Sequence, residues 1–285
     1  IGFPQYEGIL NDLLEQAKLL ASKYDVTITN PPYMGSKGYS DKLKKYVEEN
    51  FKDSKADMFA VFMERCTELT KEKRYTTMIV MQSWMFLSSF ENLRLKLIKE
   101  STISSLIQLG YGAIGIAFGT TAFCLKKEGN TENKGHYFRI FEKMAQNLNT
   151  EDIALLFRKA SKNADFKYKF SSYMSSEGIA ENIESNEEGN QIYYSTSQQD
   201  FHKIPGSPIA YWVSDRFLKA FEKETIGNIF PVKKGADTGD NNKYLRFWNE
   251  ISFKYVGVNL KNGNEVIEQD KKWVPYNKGG EFRRW

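Results

Sequence analysis

The sequence predicts an α/β fold: a mainly parallel sheet with an antiparallel end, followed by a region of mixed α and β character. Three observations carry this. Helical and strand patterns alternate over the first hundred residues, the strand patterns then cluster between Ile103 and Phe141, and the character changes near residue 145. Alternation calls for crossover connections and hence parallel strands, whereas neighbouring strands joined by short turns pair antiparallel.

In order along the chain, Ile9, Leu10, Leu13, Leu14, Ala17, Leu20 and Ala21 recur at helical spacing. Tyr24 to Thr29 is rich in β-branched residues and reads as a strand, ended by Pro31 and Pro32, which can neither continue a helix nor donate to a ladder. Ser54 reads as an N-cap with Asp57 three residues on, before a helix marked by Met58, Phe62, Cys66 and Leu69 that runs to about Glu72. Thr76 to Met81 is a strand and Leu93, Leu97 and Ile98 mark a helix. Ile103 to Leu109, Thr120 to Lys126 and Tyr137 to Phe141 are strands. Beyond residue 145, helical patterns at Ile153 to Lys159 and Ser214 to Lys223 alternate with polar loops, and Glu177 to Glu188 is an acidic, solvated stretch.

Composition narrows the classes. Apolar residues make up 41% of the chain, enough for a real core, so a disordered or fibrous protein is excluded. The net charge of +4 neither demands nor opposes nucleic acid, for which a local basic surface matters more. Cys66 and Cys124 lie far apart in apolar stretches, as free thiols of a reducing cytoplasm do. His136 and His202 stand alone and no cluster has metal-ligand spacing, so no metal is expected. No apolar run approaches a membrane span.

Asn30-Pro31-Pro32-Tyr33, directly after the first strand, is the segment with chemistry in it. The exocyclic amine of a nucleobase is a poor nucleophile because its lone pair is delocalised into the ring. Hydrogen-bond acceptors on its two hydrogens favour the pyramidal, reactive form. The Asn30 side-chain oxygen and the Pro31 carbonyl can supply them, and the prolines stiffen the backbone so that both are aimed in advance. A base must leave the duplex to reach them, which costs a few kcal/mol, and stacking on an aromatic ring such as Tyr33 returns roughly 1–3 kcal/mol. As sequence alone, the tetrapeptide also fits a surface turn.

Asp25 to Gly35 resembles motif IV of the adenine-N6 DNA methyltransferases. Asp53 to Phe59 with its following helix, and Met78 to Gln82 leading into Trp84, resemble the next segments of that family. Within it, the chain is similar to the BREX-type, PglX-like phage-defence enzymes, and Thr238 to Asn241 and Trp273 to Gly280 resemble the start of their target-recognition region. The resemblance implies a partial Rossmann-like methyltransferase sheet, its substrate half, over residues 1–145. A connector and the start of a target-recognition region of mixed α+β character follow over 146–285. It also implies S-adenosyl-L-methionine as cofactor, double-stranded DNA as partner, other phage-defence or restriction subunits beside it, and a cytoplasmic location. Asn30, Pro31, Pro32 and Tyr33 are the implied catalytic residues. Phe118, in Ile116 to Thr121, is the implied second ring of a base sandwich with Tyr33.

One departure matters. The family's glycine-rich cofactor turn precedes motif IV, and here only Ile1 to Lys23 do, reading as one helix. The first half of the sheet and most of the cofactor pocket are therefore expected outside this sequence, with Asn30 the one cofactor-side residue present. Gly110 to Gly115 fits Gly-x-Gly-x-x-Gly after a strand, but a cofactor turn must open a helix and the next segment reads as a strand, so a substrate-pocket loop is expected there. Lys234, Lys243, Arg246, Lys272, Lys278 and Arg283, interleaved with Trp248, Trp273, Tyr276 and Trp285, are the candidate DNA contacts, each of which on its own also fits a solvated surface. Two other readings stay open: a methyltransferase of another planar amine, in a protein glutamine or an RNA guanine, and a DNA-binding fragment without catalysis.

Overall fold

The computed structural model describes residues 4–113, 115–129, 132–143, 147–230 and 238–276. The elements of the first compact unit, residues 1–225, begin with α1 (Pro4–Ala21), β1 (Tyr24–Thr29), α2 (Asp41–Asn50), α3 (Met58–Leu69), β2 (Thr70–Met81), α4 (Glu91–Glu100), β3 (Thr102–Leu109), β4 (Thr120–Lys126) and β5 (Lys134–Ile140). They continue with α5 (Thr150–Lys162), β6 (Lys167–Tyr168), β7 (Asn190–Gln191), β8 (Tyr193–Ser197) and α6 (Asp215–Leu218). The main sheet has the order β1-β2-β4-β3-β5-β8. β1 with β2, and β3 with β5, pair parallel, while β4 runs against both of its neighbours and β8 against β5. The architecture is α/β as expected, but the sheet is mixed: three of its five pairings are antiparallel, and besides the antiparallel edge strand β8 the reversed β4 lies in its interior.

The sheet separates two cores. Phe59 and Met63 of α3, Leu93 and Leu97 of α4, and Phe201, Ile209 and Tyr211 cover one face, against Met78, Val80, Leu106, Phe123 and Tyr137. Leu156 and Ala160 of α5, with Phe166 and Phe170, cover the other against Leu109, Phe138 and Ile140. Two-residue alternation along β2 and β5 sends successive side chains to opposite cores.

The β1 edge differs. Val26 is 55% and Ile28 76% exposed, and the apolar stripe of α1, Ile9 to Leu20, lies open to solvent. Strands in parallel sheets are ordinarily covered on both faces, so this is an uncovered apolar surface of the kind that marks a contact region.

Several local expectations need correcting. Ser54 is not the cap of α3: its hydroxyl donates to the buried Glu64 carboxylate at 2.6 Å, and Asp57 caps the helix through the Phe59 N–H. The helix stops at Leu69, three residues early, because the chain passes directly into a longer β2. α2, capped by Ser40, was not legible because only Val47 of it is buried. The chain divides into two compact units. The division falls at 225/226, since β8 returns to pair with β5 and completes the sheet.

The second unit, residues 226–285, holds the short helices α7 (Ile226–Ile229), α8 (Asn241–Tyr244) and α9 (Gly263–Glu268), and a bridge between Val256 and Trp273. Phe247, Trp248 and Phe253 are at least 73% exposed in it.

Arg94 of α4 is the most conspicuous polar group of the core, 1% exposed. Its guanidinium donates to the carbonyls of Trp84 (2.9 Å), Leu87 (2.6 Å), Gly206 (2.6 Å) and Ser207 (3.3 Å), tying the loop after β2 to the segment that covers the sheet. Burial pulls its pKa down, with the Glu91 charge opposing. Arg94→Leu strands these carbonyls without donors and is expected to cost about 3 kcal/mol. Urea denaturation measures it, and a loss under about 0.5 kcal/mol would show that the clamp is dispensable.

Candidate active site

β1, β2, β3 and β5 run in one direction, so Asn30, Gln82, Gly110 and Phe141 gather at one edge, joined by Gly119 at the start of the reversed β4. The carboxyl edge of parallel strands is where α/β sheets hold ligands. Pro31 is buried and Asn30 exposed, so the strand ends with the Asn30 side chain presented outward.

The Tyr33 hydroxyl lies 2.9 Å from Asn30 Oδ1 and 3.1 Å from the Ile79 carbonyl, with one proton to share between these two acceptors. An amide oxygen has two lone pairs, so Asn30 keeps one for a further donor. Burial raises the Tyr33 pKa, keeping the phenol neutral. The loop beyond is pinned by Asp57, whose Oδ1 accepts from Met34 N–H at 3.1 Å and Phe59 N–H at 3.3 Å, while Met58 N–H donates to the Met34 carbonyl at 3.0 Å. Tyr33 packs on Phe59 at 6.3 Å.

Phe118, half-buried, stands beside Tyr33, the ring centroids 5.3 Å apart and the planes at 82°. The two rings proposed from sequence as a pair are in contact, edge to face, and no base-sized gap lies between them. Gly119 follows. Its carbonyl accepts from Gln82 N–H at 3.0 Å, and a Cβ placed on it would lie 2.1 Å from Gln82 Nε2. Gln82 Oε1 accepts from Gln108 Nε2 at 2.8 Å, and Gln108 Oε1 from the Tyr211 hydroxyl at 2.9 Å. This buried relay, absent from the sequence reading, sets the height of the loop that carries Phe118.

The glycine turn at 110–115 opens no helix among the described residues: Gly112 and Gly115 adopt φ +73° and +75°, the Gly112 N–H donates to the Ile116 carbonyl, and the chain enters β4. It borders an open depression of about 420 Å³ lined by Tyr111, Gly112, Ile116, Ala117 and Asn147. The 110–115 turn is therefore not the opening of a strand, glycine turn and helix unit of the kind that holds a nucleotide cofactor. Asp25 sits at the far end of β1 and pairs with Lys71 (2.8 Å) and Arg74 (2.9 Å). The Lys71 hydrogen bond, above all, holds its carboxyl below the ordinary range.

Of the basic candidates, Lys234, Lys278 and Arg283 lie outside the described residues. Arg246 donates to the carbonyls of Asn242 (2.8 Å) and Leu245 (2.6 Å), and its guanidinium is 6.0 Å from the Trp273 ring. The Lys272 ammonium is 5.6 Å from that same ring, and Lys243 lies over Tyr244. Cys66 and Cys124 are free, their thiols raised in pKa by burial. His136 meets the Tyr193 hydroxyl and His202 the Ser207 hydroxyl, and no group of metal-binding side chains occurs among the described residues. No described helix is long and apolar enough to cross a membrane.

Residues 3–114 match the Eco57I restriction-modification methylase model. The adenine-specific methyltransferase PglX of Lacticaseibacillus casei is 36% identical over 97% of this chain and 21% of its own length. The adenine-specific methyltransferase BrxX of Escherichia coli is 36% identical over 95% of this chain and 20% of its own. The chain thus spans about a fifth of the length of these curated relatives. Among solved structures, a type I restriction-modification methyltransferase subunit of Streptococcus thermophilus superposes with a TM-score of 0.40 at 16% identity, over 66% of this chain and 37% of that one, too weakly to carry an argument. Over nearly its whole length the chain is thus similar to a stretch of the adenine-specific methyltransferases PglX and BrxX that makes up about a fifth of each.

Proposed function

We propose that the protein carrying this chain methylates the N6 amine of a flipped adenine in double-stranded DNA, using S-adenosyl-L-methionine, in BREX-type phage defence or restriction-modification. The observation that carries the reading is the Asn30 side-chain oxygen at the end of β1, with one lone pair free and the Tyr33 and Phe118 rings beside it. The adenine amine would donate to Asn30 Oδ1 and to the Pro31 carbonyl, which localises its lone pair for attack. Tyr33 would stack on the base, with Phe118 turning parallel on the other side. The nitrogen becomes cationic on gaining the methyl group and then releases a proton, so no strong base is needed at Asn30. S-adenosylmethionine would supply the electrophilic methyl group, its sulfur keeping the bond's electron pair as S-adenosylhomocysteine leaves, and the released proton would pass to water. The described residues do not build the cofactor's pocket.

Residues 1–145 then act as the substrate half of the catalytic domain, and 146–285 as connector and start of target recognition. Lys243, Arg246 and Lys272 are proposed as DNA contacts, with Lys234, Lys278 and Arg283 of the same basic stretch. Methylation of a protein glutamine or an RNA guanine would use the same tetrapeptide. The match to adenine-specific relatives along almost the entire chain favours adenine.

Labelled-methyl transfer to unmethylated plasmid DNA tests this. Asn30→Ala should lower the rate by about a hundredfold or more, and full activity in that variant, or methylation of protein or RNA but not DNA, would sink the reading. Tyr33→Phe keeps the stacking face and should stay within a few-fold of wild type, whereas Tyr33→Ala should lose roughly 1–3 kcal/mol of base stacking. Equal effects would deny the ring its part. Gly119→Ala should destabilise the fold by about 1–3 kcal/mol through overpacking on Gln82. Because one contact is responsible, adding Gln82→Ala should restore part of that loss, a coupling of about 1 kcal/mol in a double-mutant cycle by urea denaturation. Strict additivity would show that the two do not meet.

A further inference from the structure

The two arginines that line the main core differ in a way that points to a ligand. Arg94 is buried and its donors meet four carbonyls. Arg139, half-buried next to the end of β5, has no ion pair among the described residues and no hydrogen-bond acceptor on its guanidinium, and its buried Nε is without a partner. Its backbone N–H donates to the Ile192 carbonyl. Its guanidinium carbon lies 4.6 Å from the Trp212 ring centre and 5.1 Å from that of Phe141. Trp212 meets Phe86 edge to face at 5.7 Å, and Phe86 is 37% exposed. A guanidinium held against aromatic rings keeps its in-plane donors for an acceptor outside the fold, and its fork matches two oxygens of one phosphate.

Its place in the sheet agrees. Arg139 is the cross-strand partner of Gln108 and lies two residues from Tyr137, whose ring stacks on Tyr211 in the same core that Tyr33 packs against. Alternation therefore puts Arg139 on the Tyr33 side of the sheet, at the same carboxyl edge as Asn30. β5 stands four strand spacings from β1, about 19 Å. At about 3.4 Å per phosphate along one strand, that is five or six nucleotides, half a turn of duplex.

Resting on the DNA reading above, we propose that Arg139, braced by Trp212 and Phe141, is a phosphodiester contact that tracks the duplex backbone along this edge, about half a turn from the flipped base. It would position the DNA and read no sequence.

The test is the salt dependence of binding to a fluorescent 30-base-pair duplex by the complete natural protein, with anisotropy read at several NaCl concentrations. Arg139→Gln should weaken binding several-fold at low salt whatever the sequence, and should flatten the slope of log K against log salt by about 0.9. Arg139→Lys keeps the charge without the fork and should keep the slope while losing part of the affinity. Thermal melting of each variant shows whether it folds. Should Arg139→Gln not fold, a neutral methylphosphonate walked along the duplex replaces it, with wild-type affinity expected to fall at a phosphate four to seven nucleotides from the methylated adenine. Wild-type slope and affinity in a folded Arg139→Gln, or no such phosphate in the walk, would overturn this contact while leaving the methylation reading intact. A wild-type protein that neither binds nor methylates DNA would remove both.

Discussion

One carboxylate oxygen joins the candidate site to the fold. Asp57 Oδ1 accepts from the Phe59 N–H, capping α3, and from the Met34 N–H, fixing the chain as it leaves the two prolines. The Met34 carbonyl returns the contact by accepting from Met58, and Ser36 donates to the Ala56 carbonyl, so the loop is zipped antiparallel onto the entry to the helix. A cap ordinarily satisfies the donors of one helix end. This one also sets the direction of Tyr33, whose ring then rests on Phe59 in the first turn of the same helix. Its reach extends to Tyr39, whose hydroxyl is pushed up to about 12, by burial first and by the Asp57 charge second.

The opposite wall of the site is positioned through buried polar groups. The segment after β2 is held at three points: Gln82 against Gly119, the Trp84 indole N–H on the Thr121 hydroxyl at 3.1 Å, and the Trp84 and Leu87 carbonyls on Arg94. Buried polar groups of this kind are costly when unmatched and specify one arrangement when matched. Here they fix a loop whose glycine admits no side chain, and so fix where Phe118 stands. The site is thus more rigid at its base than its exposed rings suggest.

What was legible in the sequence follows from which interactions are local. β1 and β4 were readable to the residue because both carry β-branched and apolar residues with local punctuation, the two prolines after β1 and Gly119 before β4. The Gly110 turn was readable as a loop because a strand, not a helix, follows it. The cap of α3 was misread because Ser54 and Asp57 are both good cap residues, and only the approach of Glu64, ten residues on, removes Ser54 from the choice. Gln82, Gly119 and Arg139 carry no local signature. Each acquires its part from residues on other strands or on the covering segment, and such pairings are set by register, not by spacing. Composition changes near residue 145, whereas the return of β8 to pair with β5 across that point is again a matter of register.

The closed rings bear on where binding energy must come from. Tyr33 and Phe118 in edge contact are worth about 0.5–1.5 kcal/mol to each other, and a base entering between them forfeits that. Flipping the base costs a few kcal/mol more, while stacking returns roughly 1–3 kcal/mol per base. The pocket by itself therefore comes out near balance or below it. For an adenine to be held at Asn30 on the proposed reading, the surplus has to be supplied by contacts to the DNA backbone away from the pocket, which cost no unstacking. On that reading, the ring-braced guanidinium of Arg139, unpaired among the described residues and on the same face as Tyr33, would be one source of such contacts, and the basic residues beyond 230 would be another. The acceptors at Asn30 and Pro31 are then left to discriminate at the reacting nitrogen, where a hydrogen bond that strengthens as charge develops has its largest effect.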